Sequence, residues 1–153
     1  MNNTSNLQNI AEVSIVYKNI NTMNKKVQIM SSLDINEIMK PVFSEFVSHH
    51  EEFWIILLSY NNRVLGVSKI SQGGLAETTI DARIIFQLAL KTNSSKICLC
   101  HNHPSGNLTP STQDQELTRT IVQAGKLMNI EVLDHIILSD GGYYSFADCG
   151  ILQ

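Results

Sequence analysis

The order of apolar and polar positions divides the chain into short runs that alternate or stay apolar and longer stretches in which apolar residues return every three or four places. Val13, Ile15 and Tyr17 alternate with polar or smaller residues, so Glu12 to Lys18 predicts a strand. Val27 and Ile29 resume that alternation after a polar Asn/Lys turn. A helix follows. Ser31, Ser32 and Asp34 offer capping oxygens, and Glu37 stands three residues after Asp34 as in a capping box. Its apolar stripe is Leu33, Ile35, Ile38, Met39, Val42, Phe43 and Phe46, and Pro41 inside it should bend the helix or begin a second short one.

Phe53 to Leu58 is continuously apolar, as a strand covered on both faces would be. Asn61-Asn62 predicts a hairpin turn with Val64 to Ile70 as the returning strand, and Gly73-Gly74 a loop. Asp81 to Leu90 reads as a helix with Ile80, Ile84, Ile85, Leu88 and Ala89 on one side. Lys96 to Cys100 is a short apolar strand, and His101 to Pro110 reads as a loop rich in Pro, Gly, Ser and Asn. Thr112 to Met128 predicts a long helix with Leu117, Ile121, Ala124 and Met128 inward. Ile130 to Leu138 is a strand, Asp140-Gly141-Gly142 a tight turn, and Tyr143 to Phe146 its partner. Interleaved strands and helices with hairpins among them predict an α/β fold, a mixed sheet flanked by helices.

Composition narrows the class. The 153 residues are 43% hydrophobic and 16% charged, enough to build one core and too apolar for a disordered chain. We see no repeat and no linker. The expected layout is one domain over 31–153, with 1–30 adding a tail and strand to it. The formal charge of −3 gives no overall basic field to attract nucleic acid. No apolar run reaches the roughly 18–20 residues that span a bilayer. Met1 to Asn9 is polar and Asn-rich and reads as a frayed end rather than a secretory signal. Three cysteines, two of them in one apolar run, do not make a disulfide framework, so a reduced, cytoplasmic setting is expected.

The chemistry gathers at His101-Asn102-His103. If the strand extends through them, the two histidines face the same way with Cα atoms roughly 6.5–7 Å apart, and two imidazoles at that spacing can converge on one ion. Ser111 follows Pro110 and suits an N-cap; Asp114 then lies in the first turn of the helix, within reach of the same point. Taken singly, the histidines could be surface decoration and Asp114 half of a capping box. Together they predict three protein ligands and a fourth position left for water, the pattern of a catalytic rather than a structural zinc. Cys98 and Cys100 read as small core residues. Asp134-His135 lies in an apolar strand; a locally satisfied structural histidine is the first reading, an outer partner of the metal site the second. No H-E-x-x-H and no deaminase signature is present.

The run His101-Asn-His103-Pro-Ser-Gly106, then Pro110-Ser111-x-x-Asp114, resembles the JAMM signature in the form carried by RadC-type JAB-domain proteins. The likeness continues through Leu133-Asp134-His135-Ile136-Ile137 and Tyr144-Ser145-Phe146, and upstream takes in Glu51 with Phe53 to Leu58. It covers about Ser31 to Leu152. The resemblance implies a JAB/MPN fold, layered like a cytidine deaminase. It implies one zinc per chain on His101, His103 and Asp114, with Glu51 as the base for the activated water and Ser111 as an oxyanion partner as well as a helix cap. Glu52 is the alternative to Glu51, since adjacent residues diverge and only one can face the ion. Two solvated charges are the plainer reading of that pair. RadC-type proteins often carry a helix-hairpin-helix region ahead of this domain, and the chain looks more like the stand-alone RadC-like domains of bacterial mobile elements. The resemblance therefore implies a zinc metallopeptidase or isopeptidase-type hydrolase acting on a peptide or protein. The competing expectation is a non-catalytic zinc-binding module tied to DNA repair or mobile elements, with nucleic acid as its partner.

Overall fold

A computed structural model describes residues 27–43, 48–73 and 80–152. The tail, the strand expected over Glu12–Lys18, Phe46 and Gly74 lie outside these. The described elements are α1 (Ser32–Phe43), β1 (Glu52–Leu58), β2 (Val64–Gln72), α2 (Ala82–Lys91), β3 (Lys96–Asn102), α3 (Thr112–Met128), β4 (Glu131–Ser139) and β5 (Gly142–Ser145). The strands form one sheet in the order β2-β1-β3-β4-β5. Only the β3–β4 pair is parallel, because α3 carries the chain back across the sheet between them, so the sheet is mixed as expected.

Alternation along β1 and β3 sorts their side chains onto two covered faces. Phe53, Ile55, Leu57, Ile97 and Leu99 pack with Ile85, Phe86 and Ala89 of α2 and Ile121 and Val122 of α3. Ile56, Leu58, Cys98 and Cys100 pack on the other side with Ile35, Met39 and Phe43 of α1. Both central strands therefore read as unbroken apolar runs, and the two cysteines sit in the core, where burial pushes the Cys98 thiol up.

Several local expectations shift. The capping box of α1 lies three residues earlier than expected: Asp34 Oδ2 accepts from the Ser31 N–H at 2.8 Å, and the Asp34 N–H donates to Ser31 Oγ. Leu33 at this end is 51% exposed, and Pro41 is carried inside the helix, which continues to Phe43. Val27 and Ile29 flank a single bridge, Gln28 to Arg63, rather than a strand. On α3 the buried stripe is Thr118, Ile121, Val122 and Gly125, while Met128 is 37% exposed. The helix ends at Asn129 in the left-handed region, and the chain turns so tightly that the Ile130 carbonyl fills the space a Cβ on Gly125 would need.

Candidate metal centre

Strand β3 extends to Asn102, so His101 is a strand residue and not the start of a loop. It pairs with Phe53 of β1 on one side and Ile137 of β4 on the other, and its ring stacks on Phe53. His103 follows one residue past the strand, held by its N–H to the Leu138 carbonyl at 2.9 Å. The odd-numbered residues of this end face α3. Ser111 caps α3, and the reciprocal box is complete: the Asp114 N–H donates to Ser111 Oγ and Asp114 Oδ2 accepts from the Ser111 N–H and hydroxyl, both at 2.7 Å. The same carboxylate turns Oδ1 toward His101, so Asp114 serves the helix and the site at once.

The three side chains expected as ligands are brought together. His101 Nε2 lies 3.0 Å from His103 Nε2 and 3.2 Å from Asp114 Oδ1, and His103 Nε2 lies 3.5 Å from Asp114 Oδ2. A tetrahedral zinc with ligands at about 2.0–2.1 Å would set neighbouring donor atoms about 3.3–3.4 Å apart, so these separations are close to what such an ion needs. His103 Nδ1 lies 2.5 Å from the Asn107 carbonyl oxygen, which carries no hydrogen, so Nδ1 is the donor and Nε2 the atom free to ligate. These are the His/Asp side chains that can hold a divalent ion among the described residues.

Electrostatics point the same way. The hydrogen bond to Asp114 raises the pKa of His103 above its ordinary value; burial opposes this, and the Asn107 carbonyl and the charges of Asp114 and Glu51 add to it. Burial alone would raise the Asp114 carboxyl, but bonds from His101 and His103 outweigh it and hold the group far below the usual carboxylate range. Electron pairs crowd one point, and a cation relieves them; a proton on His103 does so in the absence of a metal ion.

Glu51 and Glu52 part company here. Glu51 precedes β1 on the His101 side, close enough for its charge to act on His103. Glu52 enters the opposite face and is not a solvated charge: it is 1% exposed, accepting from Trp54 Nε1 at 2.7 Å and Lys69 Nζ at 3.0 Å, with His50 Nε2 at 2.9 Å. Sequence reasoning gave Asn102 no task. It is fully buried, and its amide spans the turn around Glu51, accepting from the Glu52 N–H at 2.7 Å and donating to the His50 carbonyl at 2.8 Å. With the Gly73 N–H on the Glu51 carbonyl, the backbone on both sides of Glu51 is fixed. The signal was available, since a polar residue between two strand-end histidines points into the opposite face. Arg83 pairs with Asp81, the N-cap of α2, and takes no part.

Comparison with known proteins agrees with this geometry. A family model described as RadC-like JAB domain matches residues 29–151. A UPF0758 protein of Flavobacterium johnsoniae is 43% identical over 124 residues, 81% of this chain and 53% of that protein. UPF0758 proteins of Symbiobacterium thermophilum and Porphyromonas gingivalis are 44% and 42% identical, each over 67% of this chain and under half of their own length. The chain thus spans about half the length of the curated relatives it matches.

Proposed function

From the premise that the chain belongs to the RadC-like JAB domain family, we propose that it is a zinc-dependent hydrolase of peptide or isopeptide bonds. The observation that carries this reading is the convergence of His101 Nε2, His103 Nε2 and Asp114 on one point within hydrogen-bonding reach of each other. Three protein ligands leave a tetrahedral ion one open position, the arrangement of catalytic zinc. His101, His103 and Asp114 would hold the zinc ion, which would supply Lewis acidity toward a scissile carbonyl and a bound water.

The remaining work falls to the chain's own groups. Glu51 would accept the proton of the attacking water and return it to the leaving amine, a role supported by its place just before β1, two residues from Phe53, which pairs with His101, and by its pinned backbone. Ser111 Oγ, donating to Asp114 at 2.7 Å, holds that carboxylate in its ligating pose and can swing its hydroxyl to a developing oxyanion. Phe53 and Phe146 stack on His101 and His135 and keep solvent from the back of the site. We assign residues 31–152 to the hydrolase domain. No described helix is long and apolar enough to cross a membrane.

Metal analysis tests the reading. Protein purified in zinc should hold about one ion per chain, and His101→Ala with His103→Ala should hold none. A double variant that keeps its full metal content overturns the site. Zinc retained by the native protein without metal-dependent cleavage of any peptide library would favour a non-catalytic scaffold.

A further inference from the structure

Behind the metal ligands a second line of polar atoms runs through the core. His101 Nδ1 lies 2.7 Å from His135 Nε2, and His135 Nδ1 lies 2.6 Å from Thr118 Oγ1. Thr118 Oγ1 lies 2.6 Å from the carbonyl oxygen of Asp114. His101, Thr118 and His135 are each no more than 1% exposed, so no water competes for these atoms. The line starts at one metal ligand and ends on the backbone of another.

Its hydrogens can be assigned from one end. A carbonyl oxygen has no hydrogen, and two oxygens 2.6 Å apart need one between them, so the single hydroxyl hydrogen of Thr118 goes to Asp114. Thr118 Oγ1 can then only accept from His135, whose Nδ1 is the donor. A neutral His135 has its lone pair on Nε2 and accepts in turn from His101 Nδ1. His135 is fully buried with Phe53 and Phe146 against its ring, surroundings that disfavour a charged imidazole. His101 is left with a lone pair on Nε2, the atom that faces His103 and Asp114.

We propose that Thr118 and His135 are positioning residues of the metal centre, fixing the tautomer and ring orientation of His101 and coupling it to the first turn of α3. The inference rests on the metal-site reading for its purpose and on the hydrogen-bond line for its content. His135 is thereby more than a satisfied core histidine: its other ring atom completes the donor order that Asp114 begins. Phe53 and Phe146 hold its ring plane, at 5.6 and 4.5 Å between centroids, so the bond directions are set by packing as well.

The experiment uses the full-length, metal-free protein labelled with 15N, where long-range proton–nitrogen correlation reports which imidazole nitrogen carries the proton. His101 and His135 should each carry it on Nδ1. Thr118→Val keeps the shape of the side chain and removes the hydroxyl; His101 should then lose its single tautomer, and zinc and cobalt affinity, read against a chromophoric chelator, should fall about 10–100-fold. Thr118→Ser restores the hydroxyl and should restore both readouts. A proton on His101 Nε2 in the native protein overturns the proposal, and so does a folded Thr118→Val that binds zinc as tightly as the native chain. If Thr118→Val does not fold, the native tautomers and the Thr118→Ser affinity decide. Failure of the native protein to bind zinc or cobalt would sink the hydrolase reading, while the tautomers of the metal-free protein still judge the relay.

Discussion

Glu51 and Glu52 are neighbours whose surroundings differ in kind, and the two faces of the sheet differ with them. On the α1 side, Glu52 is buried among donors: Trp54, Lys69 and His50 supply its oxygens, and Asn102 takes its N–H. On the α3 side, acceptors meet acceptors: His101 Nε2, His103 Nε2 and the Asp114 carboxylate face one point, an arrangement that could hold a cation. A closed network of donors and acceptors is satisfied within the fold; a cluster of acceptors leaves a place for a cation. One residue of register separates the two.

Exchanging each carboxylate for an amide should break this comparison most visibly. Glu51→Gln keeps size and removes the proton acceptor, so zinc content should stay and turnover of a peptide substrate should fall about 10²–10⁴-fold. Glu52→Gln should leave the pH profile of turnover in place. If the two variants exchange phenotypes in a kinetic assay, the base has been assigned to the wrong face.

Stability should respond in the opposite sense. Glu52→Gln sets an NH2 group against the donors that Trp54 and Lys69 aim at the buried carboxylate, which costs about 1–3 kcal/mol in chemical denaturation; Glu51→Gln should be near neutral. Burial raises the Glu52 carboxyl, but the bonds from His50, Trp54 and Lys69 together leave it below its ordinary value. The unfolded chain then binds more protons over the interval between the two values. The contribution of Glu52 is therefore complete above the ordinary pKa of about 4.3 and is lost as pH falls through the lower folded value. Melting curves of native and Glu52→Gln protein should converge on acidification over that window; a gap that stays constant with pH would contradict the paired carboxylate.

The smallest effect concerns the metal itself. Both apolar clusters are complete without it, and a proton on His103 takes part of its place. A chelator should lower the melting temperature modestly and leave the far-UV helix signal intact. Collapse of that signal would mean that the ion holds the fold rather than the chemistry.

Much of this was legible from residue order. His101, His103 and Asp114 are readable because a strand end and a helix start are both marked locally, by alternation and by the Ser111 cap. The period of two says only that one of Glu51 and Glu52 can face the ion; the choice of Glu51 rests on the resemblance to the RadC pattern. Thr118 was not legible: the helical stripe was read through Leu117, Ala124 and Met128, and a buried threonine beside Ile121 and Val122 looks like one more polar surface position. The burial of Glu52 is not readable from residue order, because burial of a charge depends on partners from elsewhere, and Lys69 arrives from β2 through sheet pairing. The sheet order is likewise a property of long-range pairing, and Val27 to Ile29 shows the limit, since alternation there yields one bridge to the start of β2.

The ligands and the base are tied to the site by loops of different size. His101 and Asp114 belong to one strand–loop–helix segment, 13 positions apart. The bond that holds the Glu51 turn, from the Glu52 N–H to Asn102, joins residues 50 positions apart. Closing a chain loop costs about 0.6 kcal/mol more for each doubling of its length, so holding the base in register costs about 1.2 kcal/mol more entropy than holding the ligands. That difference is met by β1–β3 pairing along its whole length, from Phe53 opposite His101 to Leu58 opposite Lys96. In terms of chain statistics the ion belongs to a local segment, and the proton acceptor belongs to the sheet.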